Sequence, residues 1–374
     1  MKKNFIFFLK KKNKIEKKFY FFFKKKKYMA SDQLEEMLNN FRIKPNEEKS
    51  LFDACKYGRL EIIKKMNDDK IDFNTVNNDG ETFFFTACKY GQLNIIKYMM
   101  NDSRIDINKA DNNGVTPFTK VCEYGYLDIV KHMMNDKRIN VTKMNNGCLG
   151  FSLACYNNHF EIVKYMMNDS RIDINKINSS GYTPFAFACV NGCFEIIKYM
   201  MNDKRVDINK ENDLGYTPFA LACMYGHFQI IKHMMDDERI DLNKINYHEE
   251  TPFYIACYQN YFEIIKYMIN DGRININKKN KYGNTAFDIV YKKRNLEIII
   301  YFLLSKRYNI LDLKNKTPYP KIESLINQYN IDPLKFEDKY RQELNIKKLN
   351  KNSLFLLNCA DGNIVYLKKI LRKK

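Results

Sequence analysis

The 374-residue sequence has no tryptophan, only five histidines and no Cys-x-x-Cys pair. Its ten cysteines therefore lack the paired spacing of a zinc site, and the nearest two, Cys189 and Cys193, have no histidine cluster beside them. A phosphate-binding glycine loop, a His-Glu-x-x-His helix and a nucleophile elbow are also missing. The common routes to metal-assisted hydrolysis, nucleotide chemistry and covalent catalysis are thereby removed. The chain reads as non-enzymatic, with no metal and no cofactor. Long apolar runs are scarce at the start, where Phe5–Leu9 and Phe19–Phe23 reach five residues each. A secretory signal needs about 7–15 apolar residues in a row and a membrane span about 18.

The formal net charge is +19, which on one folded surface would suggest nucleic acid or an anionic membrane as partner. However, residues 1–28 hold 12 Lys and one Glu, so +11 of that charge sits in a short basic stretch without a helical face. The remaining +8 is spread along the chain without a stripe, so nucleic-acid binding is not expected. Residues 1–28 read as a basic low-complexity leader, disordered or not translated, with Met29 the expected start. The rival reading is a basic, aromatic tail lying on an acidic membrane surface.

What the sequence does contain is a repeat. A glycine that opens the phrase Gly-x-Thr-Pro-Phe recurs as Gly80, Gly114, Gly147, Gly181, Gly215 and Gly283, with Glu249 in the same slot. The steps are 33 or 34 residues, and Cys55, Cys88, Cys122, Cys155, Cys189, Cys223 and Cys257 keep the same period. Within a unit, Thr116 is a helix cap and Pro117 fills the first turn, where a missing N–H costs nothing. The helix closes at Gly58, Gly91, Gly125, Gly192 and Gly226, with Asn158 and Asn260 as substitutes. A second helix follows, with apolar residues such as Leu93, Ile96 and Met100, or Phe194, Ile197 and Met201, on one face. Arg104 to Asn108 reads as a short extended segment leading into a protruding hairpin.

This unit, with its Thr-Pro-Phe-x-x-Ala-Cys-x-x-Gly-x-x-Glu-Ile-Ile-Lys signature, resembles the ankyrin repeat. The resemblance implies an all-α solenoid of about eight helix-turn-helix units with β-hairpin fingers, over residues 50–315. A capping helix is expected over 29–49, where Asp32 and Glu35 form a capping-box pair, and a C-terminal helical cap with a worn repeat over 316–374. Two departures stand out. The family's usual His after Thr-Pro-Leu is replaced by Phe85, Thr119, Ser152, Ala186, Ala220, Tyr254 or Asp288, so its bond to the neighbouring turn is expected to be missing. Met-Met replaces Leu-Leu in most second helices, which fills space well but fixes it weakly.

The cysteine ladder falls in one slot of successive first helices. Packed helices lie about 8–10 Å apart, beyond disulfide reach, so the ladder reads as free thiols in a reducing compartment, cytoplasmic or nuclear. His132, His159, His227 and His233 are substitutions at repeat positions rather than a cluster. One Asp–Arg pair per unit, Asp102 with Arg104 through Asp271 with Arg273, reads as a compensating surface ladder rather than catalytic charge.

Units sharing a scaffold differ most where the scaffold leaves them free. The two variable clusters are the pair after each cysteine and the finger tip. The first supplies Tyr90, Glu123, Tyr124, Tyr156, Met224, Tyr225 and Tyr258; the second supplies Asn113, Leu214 and Tyr247. The resemblance implies that both line one concave groove, where tyrosine is a common anchor. The expected function is a monomeric, non-catalytic scaffold or adaptor holding a partner protein in that groove. The alternatives are an adaptor carried to an acidic membrane by residues 1–28, or a regulatory subunit acting on an enzyme through the C-terminal helices. Deleting residues 1–28 should leave the melting temperature of the remainder unchanged, because a lysine-rich stretch without an apolar face has little to bury; a clear fall on thermal denaturation would show that it packs.

Overall fold

The computed structural model describes residues 48–65, 71–143, 148–305, 307, 320–332, 335–336 and 339–340. The leader, the expected capping helix at 29–49 apart from residues 48 and 49, which open the first described helix, the finger tip at Met144–Asn146 and the helices expected beyond residue 341 lie outside these residues. Two compact units are present, residues 1–71 and 72–374. In the first, α1 (Glu48–Tyr57) packs against α2 (Leu60–Lys65).

The second unit contains seven further pairs among the described residues. The first helices are α3 (Phe83–Lys89), α5 (Pro117–Tyr124), α7 (Gly150–Tyr156), α9 (Pro184–Asn191), α11 (Pro218–Tyr225), α13 (Pro252–Gln259) and α15 (Ala286–Lys292). Their partners are α4 (Leu93–Met100), α6 (Leu127–Met134), α8 (Phe160–Met166), α10 (Phe194–Met201), α12 (Phe228–Met235), α14 (Phe262–Ile269) and α16 (Leu296–Leu304). First helices pack on first helices and second on second, giving two layers, and α17 (Pro320–Ile331) packs on α16.

In the second unit every first helix except α7 starts where a threonine hydroxyl accepts the N–H three residues on, as Thr183 does from Ala186 at 3.1 Å and Thr251 from Tyr254 at 3.1 Å; α7 follows Leu149, which has no such oxygen. Each ends on a left-handed residue, which the sequence places correctly: Asn158 has φ 61° and Asn260 φ 67° beside the glycines. Glycine is favoured here for a second reason. A Cβ on Gly226 would lie 2.8 Å from the ring of Tyr261 in the corresponding turn of the following repeat. Arg294, which stands in that slot in the last pair, keeps φ at 57° against its own preference.

The core is a double row. Phe118, Phe151, Phe185, Phe219, Phe253 and Phe287 stack along the first helices at 0–1 % exposure, beside the buried cysteines. In the second helices the buried stripe is Ile95, Ile96, Met99 and Met100, or Ile196, Ile197, Met200 and Met201. This differs from the expected face, because Leu93 and Phe194 are only half-buried. Phe194 instead meets the next repeat, its ring 5.7 Å from His233, and Phe160–Tyr199, Phe228–Tyr267 and Phe262–Tyr301 repeat that edge contact. The nine cysteines among the described residues are free thiols, and burial pushes the thiols of Cys122, Cys155, Cys189, Cys223 and Cys257 well up in pKa.

The connecting segments differ from the expectation of extended fingers. No strand occurs among the described residues, and one isolated antiparallel bridge joins Val76 and Thr82. The finger tips are side-chain-closed turns. Asn212, for example, accepts the N–H groups of Leu214 and Tyr216 at 3.0 and 2.9 Å, taking donors that a strand ladder would use. One backbone bond links successive tips, as Asp213 N–H to Ser180 C=O at 3.2 Å and Tyr247 N–H to Leu214 C=O at 3.2 Å. Nor is Arg104–Asn108 extended. It forms consecutive turns, closed at Asp102 and Asp106, which drop Ile105 and Ile107 into the core.

The Asp–Arg pairs are also more than a surface ladder. Arg138 grips Asp136 at 2.6 Å, and the same guanidinium donates to the carbonyl of Met100 in the preceding repeat at 2.5 Å. Arg171, Arg205, Arg239 and Arg273 do the same to Met134, Met167, Met201 and Met235, and Arg307 reaches Ile269. A cation thus satisfies a helix C-terminus one repeat away. The guanidinium hydrogen bond, foremost, holds the Asp136 carboxyl below the usual range.

An asparagine row ties the same seam. Asn108 donates to Arg138 C=O at 2.7 Å and accepts from Asn140 N–H at 2.8 Å, and Asn74, Asn175, Asn209 and Asn243 each repeat both bonds with the following repeat. Thr142 takes that slot once, and its hydroxyl turns back to Asn140. Thr142→Asn should supply the two missing bonds and raise stability by about 1 kcal/mol in denaturant melts; an unchanged midpoint would show that the row contributes nothing.

Candidate partner-binding surface

Tyr90, Tyr124, Tyr156, Tyr225 and Tyr258 close the first helices, and Leu214 and Tyr247 stand at finger tips. Of the large apolar side chains described in the second unit, the exposed ones fall in these two clusters, apart from Ile331 on α17, with exposures of 38–68 %. Val76, Ile177 and Tyr282 join them at the fingers. Asn113 is also exposed, whereas Glu123 and Met224 are half-buried. Glu123 is held by Lys120 at 2.7 Å.

The tyrosines divide into two sets. Tyr90, Tyr124 and Tyr225 follow the cysteine by two residues. Tyr124 lies beside Tyr126, ring centres 6.0 Å apart, with the Lys120 ammonium 5.3 Å above its own ring. Tyr156 and Tyr258 follow by one residue and lean on the next repeat. The Tyr156 ring meets the edge of Phe187 at 5.7 Å, and the Lys293 ammonium lies 4.4 Å over Tyr258 while donating to its carbonyl.

The structure gathers residues the sequence reading did not nominate. Phe187 stacks on Tyr182 at 5.5 Å, so Tyr156, Phe187 and Tyr182 form one aromatic cluster across α7 and α9. Burial first, then the phenols of Tyr182 and Tyr156, push the Tyr225 hydroxyl up in pKa. The signal was available in the position after the finger-tip glycine, which runs Glu81, Val115, Cys148, Tyr182, Tyr216, Glu250 and Asn284. That position precedes the threonine cap and therefore reads as part of the turn.

The expected loss of the family's histidine bond is only partly correct. Tyr254 replaces that histidine and its hydroxyl accepts from Asn280 Nδ2 at 3.0 Å. Elsewhere the turn asparagine finds another acceptor: Asn77 bonds Glu81 at 3.2 Å, Asn246 bonds Glu250 at 2.9 Å, and Asn178 reaches the Cys148 sulfur at 3.8 Å. At Asn212 the substitute is missing. Ala186 occupies the histidine slot, and the buried Asn212 Nδ2 has no hydrogen-bond partner. The histidines that do occur act differently: His159 and His227 bond the carbonyls of Glu123 and Val190 in the preceding repeat, each at 2.8 Å.

No group of three His, Cys, Asp or Glu able to hold a metal occurs among the described residues, and no described helix is long and apolar enough to cross a membrane. The geometry is that of a helical repeat array whose seams recur from one helix pair to the next. A family model described as ankyrin repeats (3 copies) matches residues 51–145, 121–212, 151–246, 200–280 and 221–314. The chain belongs to the ankyrin repeat family. No curated protein matches it significantly. Ala186→His should give Asn212 an acceptor and raise stability by about 1 kcal/mol, whereas Ala186→Leu, which adds volume without an acceptor, should not; equal melting shifts for the two variants would count against the unpaired donor.

Proposed function

We propose that this chain is a non-catalytic protein-interaction scaffold that seats a partner protein on the face made by the first-helix ends and the finger turns. Ankyrin repeats generally serve as protein–protein interaction modules, and the fold is typically non-catalytic. One observation carries the reading for this chain: among the described residues of the repeats in the second unit, the exposed large apolar side chains lie at the first-helix ends and finger turns, while the second-helix surface is lined by half-buried rings and solvated charges. A tyrosine held at a helix end presents large contact area with few torsions to freeze on binding.

The test is substitution of Tyr90, Tyr124 and Tyr225 together by Ala, read against the partner recovered by affinity capture. Anchors worth about 1–2 kcal/mol each should weaken binding at least about 100-fold, with only small changes in melting, since exposed substitutions usually cost within about 0.5 kcal/mol. Ile96→Ala is the contrasting variant. Its side chain is fully buried, so it should lose about 2–5 kcal/mol of stability through cavity formation. Unimpaired binding by a folded triple variant would place the interface elsewhere.

A further inference from the structure

The proposed binding face is divided electrically along its length. In α3 and α5 its charges cancel at short range, Lys89 with Glu81 at 2.5 Å and Lys120 with Glu123 at 2.7 Å. Across α7, α9 and α11, the slots after the finger-tip glycine and after the core cysteine hold no Lys, Arg, Asp or Glu; they hold Tyr, Asn, Val, Met and Cys. The carboxylate of Asp213, at the tip above them, lies back against Gly181. Then, at α15, the character changes. Lys292 and Lys293 are exposed at its end, and Lys281 is exposed on the finger before it.

These three lysines form no ion pair among the described residues. Lys292 donates to Asn284 Oδ1 at 3.0 Å, which ties the helix end to the finger; Lys293 covers Tyr258; and the Lys281 ammonium lies 5.1 Å over Tyr282. The carboxylates nearby are engaged elsewhere. Glu250 accepts from Asn246, and Glu249 pairs with Lys278 at 3.4 Å. An uncharged aromatic floor over α7, α9 and α11 therefore leads, past Glu249 and Glu250 on the α13 finger, to a lip of ammonium groups that form no ion pair among the described residues.

Resting on the scaffold reading, we propose that the partner presents a segment that is uncharged and apolar or aromatic along its middle and carries Asp or Glu side chains at the end lying over α15. Burying the aromatic cluster around Phe187 favours an uncharged middle, because a charge stranded there would lose its water without gaining a counter-ion. The lip does the opposite: it attracts carboxylates and fixes the direction in which the segment lies. The four helix steps from α7 to α15, at about 8–10 Å each, span about 32–40 Å, or roughly ten to twelve extended residues.

Random twelve-residue peptides displayed on phage and selected on the full chain test this directly. Selected sequences should have an apolar or aromatic middle with Asp or Glu enriched at one end only. A synthetic peptide of that kind should bind Lys292→Glu/Lys293→Glu about tenfold or more weakly, and exchanging its acids for Lys should restore binding to that variant. The Tyr156→Ala/Tyr225→Ala variant should weaken it whatever the end charge, and circular dichroism melts confirm that both variants fold. Selected peptides with no acidic bias, or binding indifferent to the lysine reversal, would overturn the charged-end proposal and leave the face itself standing. Binding indifferent to the tyrosine pair would overturn the face. Binding of single-stranded oligonucleotide or anionic vesicles that the lysine reversal abolishes and the peptide does not compete would reassign the lip to polyanions and overturn the proposal.

Discussion

A pair of helices eight residues long cannot bury an apolar face by itself, and in the second unit each pair covers the face that its neighbour leaves open. The Phe row of the first helices and the Ile-Met rows of the second are buried between repeats rather than within them. Stability in such an array is a sum of unit and seam terms, so the chemistry of the seam decides how firmly one repeat holds the next. Here the seam is polar as well as apolar. An arginine satisfies the end of the preceding second helix, an asparagine exchanges two bonds with the following turn, and a single backbone bond joins successive finger tips.

One seam is less well made. Between the repeats of α5–α6 and α7–α8, Thr142 interrupts the asparagine row, Leu149 supplies no capping oxygen and Gly150 stands where proline starts most other first helices. The glycine has a steric reason, since a Cβ there would lie 3.0 Å from the Cys122 sulfur. Among the described residues this joint keeps the buried core, the Arg171 grip on Met134 and the His159 bond to Glu123. The aromatic cluster of Tyr156, Phe187 and Tyr182 begins immediately beyond it, so this joint sits at one edge of the uncharged floor.

Much of this architecture was legible from spacing alone. Cap, core and turn residues recur every 33 or 34 positions, because every repeat solves the same local problem with the same types: threonine for the orphan N–H groups, a left-handed residue to end the helix, a small thiol where helices approach closely. Local rules of this kind act over a few residues and leave a periodic trace. The same trace pointed to the exposed tyrosines, since positions free to vary are positions the scaffold does not use.

The sequence by itself determined the helix pairs, their order, their caps and the variable slots, all of which depend on neighbours within one turn of chain. The tertiary structure decided what crosses between repeats. Arg138 reaching Met100, Asn108 reaching Arg138 and Tyr254 accepting from Asn280 each join residues 26–38 positions apart. A one-repeat offset makes such partners look like ordinary periodic surface polar residues. The convergence of Tyr156, Tyr182 and Phe187 escaped for the same reason. These residues occupy three different slots in two repeats, and only the stacking of α7 on α9 brings their rings to one place.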